Sequence, residues 1–226
     1  MIRRPPRSTL DRSSAASDVY KRQPWTLAAY SIEGSSSKNF DLTKSFIENH
    51  SNDAHKFLDI LADACFEYLK RQIISGVDAV QIFDSWANLL SEEQYLEYSL
   101  KYIKKILKKL SEDPVTNKTP TIVFARDPKC NLNEFKLDDL SCYGMFTSIN
   151  PNNAISVFEG SHALQGNLDP KILLEEDSVI KESVSRILSD FKDYPGYIFN
   201  LGHGITPDIN PDKVKVLVEA IRDSGS

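Results

Sequence analysis

From residue 24 onward the apolar positions follow two periods. Phe57, Leu58, Leu61, Ala64, Cys65, Tyr68 and Leu69 recur at spacings of three and four, which predicts one face of a helix ending near Gly76. A glycine- and serine-rich turn at 33–38 precedes it. The next run, 77–83, is short and reads as a buried strand, and it gives way to the polar turn Asp84-Ser85-Trp86. Ser91 with Gln94 three residues on is a capping-box signature, and Tyr95, Leu100, Ile103, Ile106 and Leu110 continue the helix it opens. Further strands are predicted at 120–125, 142–146, 161–165 and 196–200, with helices over 170–192 and 211–222. Short strands alternating with longer helices specify a parallel sheet with right-handed crossovers. The expected fold class is α/β. Five strand-helix units in about 200 residues match the later part of a (β/α)8 barrel, which usually takes about 250. A doubly wound open sheet is the alternative.

Composition changes this picture at one end only. The chain has 226 residues, 41% hydrophobic, with a formal charge of −5, inside the range of ordinary globular proteins. Residues 1–23 carry Arg3, Arg4, Arg7, Arg12, Lys21 and Arg22 against Asp11 and Asp18, a local charge of +4 that leaves −9 on residues 24–226. This segment has neither a hydrophobic period nor the apolar core of a secretory signal. It is expected to be a foreign or disordered leader, with residues 24–226 as the folded domain. Cys65, Cys130 and Cys142 are an odd number without a C-x-x-C pair, against both a disulfide framework and a cysteine-rich zinc module, so a reducing cytoplasm fits best. No run approaches the 18 apolar residues of a membrane helix, and a net acidic chain has no phosphate-neutralising surface; neither membrane nor nucleic acid is an expected partner. The chain contains no G-x-G-x-x-G and no P-loop, so no nucleotide cofactor is indicated.

On parallel α/β folds the chemistry gathers at the carboxyl ends of strands. Three such places stand out. In Asn200-Leu-Gly-His203-Gly204, glycines on both sides of the histidine allow unusual backbone angles and a close ligand approach, or else His203 is a capped loop residue. At Phe83-Asp84-Ser85-Trp86, Ser85 and Asp84 either cap the next helix or offer a hydroxyl to a substrate carboxylate; the absence of a G-x-S-x-G elbow argues against a hydrolase nucleophile. At 164–170, Gly166 permits a tight turn, Asp169-Pro170 starts a helix, and the amide side chains hold the turn together. Arg126 adds positive charge after the strand at 120–125 unless Asp127 pairs with it. His50, His55 and His162 are expected to be solvated or structural.

Taken together, Pro24-Trp-Thr-Leu27 with Tyr30 and Glu33-Gly34, Gln81-Ile-Phe-Asp-Ser-Trp-Ala87, Phe124-Ala-Arg-Asp127, the 164–170 segment and Asn200-Leu-Gly-His-Gly204 resemble the uroporphyrinogen decarboxylase family in order and spacing, over about 24–226. The resemblance implies a TIM barrel, usually a homodimer, that removes the carboxyl groups of four acetate side chains of uroporphyrinogen III to give coproporphyrinogen III without a cofactor or metal. Carried over residue by residue, it implies that Tyr30, Ser85 and His203 contact the tetrapyrrole and that Phe83 lines the same cleft. The family's N-terminal third, with its arginine-rich loop and an aspartate for the pyrrole N–H groups, has no counterpart here, so the chain is expected to be a partial enzyme whose activity belongs to the complete one. Phe146-Thr147 stands where the family usually has Asp-Trp. The alternatives are a zinc-dependent corrinoid or thiol methyltransferase of the related barrel, which needs a His-x-Cys ligand pair this chain lacks, and a non-catalytic fragment.

Overall fold

A computed structural model of the chain describes residues 23–34 and 39–224. The expected leader, apart from Gln23, lies outside the described residues. The fold is α/β, with a parallel sheet whose five strands follow chain order. The strands are β1 Val80–Asp84, β2 Thr121–Ala125, β3 Cys142–Gly144, β4 Ala163–Gln165 and β5 Tyr197–Ile198. A doubly wound sheet reverses its strand order at a switch point. The described strands show no reversal. The chain divides into two compact units, one running to Val123 with Pro128–Cys130, the other holding Phe124–Asp127 and Asn131 onward.

In the first unit, helices α1 Pro24–Glu33, α2 Asp41–Asn49 and α3 Ser51–Ile74 precede β1. Pro24 opens α1, where its missing N–H costs nothing, and Gly34 closes it at φ 71°, donating its N–H to the Tyr30 carbonyl. Trp25, Thr26, Ala28 and Ala29 of this helix are buried. The buried face of α3 shares Leu58 and Leu69 with the predicted one and is otherwise rotated from it. Ala54, Leu58, Ala62, Phe66 and Leu69 are buried, whereas Tyr68 and Ala64 face solvent. After β1 the Ser91–Gln94 capping box forms as predicted and starts α4 Glu92–Tyr95, which continues through a π turn at Leu96–Leu100 into α5 Lys101–Glu112. On α5, Tyr102, Ile103, Ile106, Leu107 and Leu110 are buried while its lysines point outward. Lys105 and Lys109 reach Asp59 and Asp63 of α3 at 2.6–2.9 Å.

In the second unit β3, β4 and β5 pair in parallel, Tyr143 opposite Leu164 and Leu164 opposite Tyr197. Helix α6 Pro151–Phe158 follows β3, with Asn150 capping it by accepting from the Asn152 and Asn153 N–H groups. Phe158 stacks on Tyr143, which also meets Phe135, and these rings form the core beneath the sheet. The helix expected over 170–192 starts at Asp169-Pro170 but is broken: the Asp169 side chain accepts from Lys171 N–H and Pro170 opens a 3-10 segment to Leu174, the backbone is extended at Glu175 and Glu176, and α7 then runs Asp177–Asp190. Helix α8 Pro211–Ser224 is tied back to that region by Lys213, which reaches the Asp177 carboxylate at 2.8 Å.

Candidate active site

The carboxyl end of β1 is built around a buried carboxylate. Asp84 is fully buried and accepts hydrogen bonds from Ser99 Oγ at 2.6 Å and Thr26 Oγ1 at 3.1 Å. The Gln23 side chain and the Trp86 backbone N–H also donate to it. Gln23 Nε2 meets Ser99 Oγ as well, at 3.0 Å, and its backbone N–H donates to the Phe83 carbonyl at 3.1 Å, so the folded unit takes in Gln23. Burial pushes the Asp84 carboxyl up to about 6, against the hydrogen bonds from Ser99, Gln23, Thr26 and Trp86 that favour its charged form. Neither Asp84 nor Ser85 caps the following helix: the 3-10 turn Ala87–Leu89 starts from Trp86 without a side-chain cap. The helix-cap alternative for this turn is therefore replaced by an internal hydroxyl–carboxylate cluster.

Ser85 follows directly and is half-buried, as are Phe83 and Trp86. Trp25 Nε1 donates to the Trp86 carbonyl at 3.1 Å, which ties the turn to α1. One turn further along α1, Tyr30 sets its ring edge-on to Trp86 at 6.1 Å and to Phe40 at 5.9 Å, while Phe40 and Trp86 lie 4.7 Å apart. Phe40 is fully buried at φ 51°, a left-handed conformation that an aromatic residue adopts only where its packing holds it there. The first unit thus brings Tyr30 beside the turn that carries Ser85, over a floor of aromatic rings.

The second unit holds His203. Its Nδ1 lies 2.9 Å from the Gly204 carbonyl, which can only accept, so Nδ1 carries a hydrogen and Nε2 is the nitrogen left for other partners. The imidazole stacks on Phe146 at 5.7 Å. The glycines on either side are not there for unusual angles, since neither adopts a positive φ. A Cβ on Gly202 would come within 2.5 Å of the Thr147 backbone nitrogen and would also strike Thr147 Oγ1, whereas one on Gly204 would meet nothing. Gly202 is required by the approach of two loops, and that approach puts His203 against Phe146, one of the two positions where the sequence departs from the resemblance. Asn167 holds the same loop: its buried amide donates to the Phe146 and Ile149 carbonyls at 3.0 and 2.7 Å. Asp127, at φ 46°, accepts from Ser148 Oγ rather than pairing with Arg126, which is exposed.

Of the remaining histidines, His50 is solvent-exposed and the other two are structural. His162 is buried between Ser161 Oγ and the Leu137 carbonyl, and His55 bridges Tyr102 and Glu97. Burial drives the thiols of Cys65 and Cys142 up to about 12, so neither is a ready thiolate. Among the described residues no three His, Cys, Asp or Glu side chains gather as metal ligands would. Sequence reasoning missed Asp84 as a buried group, along with its partners Thr26 and Ser99. The only local signal was a carboxylate placed at the end of an apolar strand.

Comparison with known proteins adds a lineage to this geometry. The chain is 42% identical over 202 residues to a uroporphyrinogen decarboxylase of Alcanivorax borkumensis, a match that takes in 89% of this chain and 57% of that protein. It is 40% identical over 205 residues to one of Chloroherpeton thalassium, with 88% and 57% covered. The chain therefore spans a little over half the length of the curated relatives it matches. Among solved structures, a methyltransferase from Methanosarcina mazei superposes with a TM-score of 0.72 at 18% identity, over 91% of this chain and 58% of that one, a likeness of fold. The family model described as uroporphyrinogen decarboxylase (URO-D) matches residues 22–224, a span that takes in every described residue, and the chain belongs to that family.

Proposed function

We propose that this protein takes part, as a carboxy-lyase, in removing the carboxyl groups of the four acetate side chains of uroporphyrinogen III, giving coproporphyrinogen III in haem biosynthesis. The observation that carries the reading is the family match over residues 22–224, with relatives of that name at 36–42% identity. The activity is proposed for the whole enzyme, a (β/α)8 barrel acting as a cytoplasmic homodimer. The five parallel strands in chain order support the barrel, because an arc of one has that order. The (β/α)8 relatives of methyltransferase type gain nothing from buried, protonated thiols.

The chemistry needs no cofactor in this reading. Protonating a pyrrole ring carbon makes the ring cationic, and the electrons of the breaking C–C bond flow into it as CO2 leaves; the exocyclic methylene so formed takes up a proton to become the methyl group, and the ring carbon gives its proton back. The protein binds, orients and moves protons. Tyr30 on α1 and Ser85 on the turn after β1 offer hydroxyl groups beside the same cluster of aromatic rings, suited to hold substrate carboxylates or pyrrole edges, and Phe83 lines that side. His203, whose Nδ1 hydrogen is committed to the Gly204 carbonyl, donates through Nε2 to a carboxylate only as an imidazolium.

The test uses uroporphyrin III and its reduced form. Trp25 and Trp86 are the two tryptophans, and their emission is expected to be quenched saturably by the octacarboxylate, while the porphyrinogen loses carboxyl groups stepwise as followed by chromatography. An absence of saturable binding would overturn the reading. His203→Ala is expected to weaken binding or slow turnover.

A further inference from the structure

Asp84 is an expensive residue to place where it stands. A fully buried carboxylate loses its hydration and regains it only through the donors around it. Those donors come from separate stretches of chain: Thr26 from α1, Ser99 from the π turn, Gln23 from the residue ahead of α1, and the Trp86 N–H from the turn itself. A side chain meant only to fill this space would be apolar, since well-packed hydrophobic groups are as stable or more so. What the carboxylate adds is direction. Its two oxygens receive hydrogen bonds from opposite elements, so the Ser85–Trp86 turn is held in one orientation against the helix that carries Tyr30. Trp25 Nε1, bonded to the Trp86 carbonyl, pins the next peptide group of the same turn.

We infer that Asp84 is a positioning residue, whose carboxylate sets the Ser85–Trp86 turn against α1 so that Tyr30 and Ser85 present their hydroxyl groups to the substrate together. The inference rests on the reading of Tyr30 and Ser85 as substrate contacts, while its geometric half concerns the turn alone. Asp84 itself touches no substrate. Thr26 and Ser99 act through it, and an isosteric loss at either is expected to loosen the turn without unfolding the unit.

Two readouts test the inference on the protein as it exists. Trp25 is fully buried and Trp86 half-buried, so acrylamide quenching reports mainly on Trp86. Asp84→Asn and Thr26→Val are expected to shift tryptophan emission to the red and raise its quenching, with Thr26→Ser close to wild type because it restores the hydroxyl. Affinity for uroporphyrin III is expected to fall about tenfold in the first two variants and to recover in the third, the size of one lost charge-assisted hydrogen bond. Should Asp84→Asn fail to fold, Thr26→Val decides. Wild-type quenching and affinity in Thr26→Val would overturn the inference. A wild-type protein that ignores uroporphyrin would instead overturn the proposed substrate, leaving the emission of the variants to decide whether Asp84 orients the turn.

Discussion

Asp84 also leaves a mark on stability that runs opposite to the usual one for a carboxylate. Burial raises it from 3.8 to about 6, so the folded state holds its proton more tightly than the unfolded chain does. Its contribution is fully present below about pH 4 and is lost as the pH climbs through 6, a change of roughly 3 kcal/mol. Asp63 behaves in the other sense: hydrogen bonds from Lys109 and Lys105 hold it below its ordinary value, and what it contributes is lost in acid. The expected outcome is that wild type loses about 2 kcal/mol of that relative to Asp84→Asn between pH 4 and 7. Urea denaturation across that range measures it, and a difference that stays flat with pH would show that Asp84 does not titrate in the folded protein.

The elements most legible in the sequence were those with a local signature. Ser91 and Gln94 form their capping box, and Asp169 and Pro170 start their turn, because the interaction closes within four residues. All five strands were foreseen within a few residues of their observed bounds. Helices α1, α2 and α6 were not foreseen. They are short, and α1 is buried on so many sides that no polar stripe marks its period. On α3 the larger apolar residues suggest one face, yet the buried one takes in the small Ala54 and Ala62, which a pattern of large apolar side chains passes over. Asp84 was invisible as a buried group because Thr26 and Ser99 lie 58 and 15 residues away. The two glycines around His203 show the same limit. They are alike in sequence, but only Gly202 faces another backbone. Gly202→Ala is therefore expected to cost about 1–3 kcal/mol by forcing the two loops apart, and to displace His203 from Phe146. Gly204→Ala is expected to stay within about 0.5 kcal/mol. Paired thermal melts of the two variants give the comparison, and equal losses would contradict the close approach at Thr147.

At the scale of the whole molecule, a sheet whose strands follow chain order places β1 and β5 at its two margins among the described residues. The margins are managed differently. Along β1 the Val80 N–H turns inward to the Pro120 carbonyl, and the Phe83 carbonyl, facing the other way, is taken by the Gln23 backbone N–H. That margin is partly occupied by the chain itself. β5 has only two residues, and shortness is one defence of an edge, yet Ile198 is 44% exposed there and no charged residue lies between Gly196 and Asn200. Unpaired N–H and C=O groups beside an exposed β-branched side chain are the usual template for pairing with another chain. The protein is accordingly expected to associate as its concentration rises, and Ile198→Lys is expected to suppress this by placing a charge on the margin without disturbing the Gly166 N–H bond to the residue-198 carbonyl. Sedimentation velocity over a range of concentrations measures the effect. If wild type stays monomeric throughout, or if Ile198→Lys associates just as strongly, the β5 margin is not the surface through which copies meet.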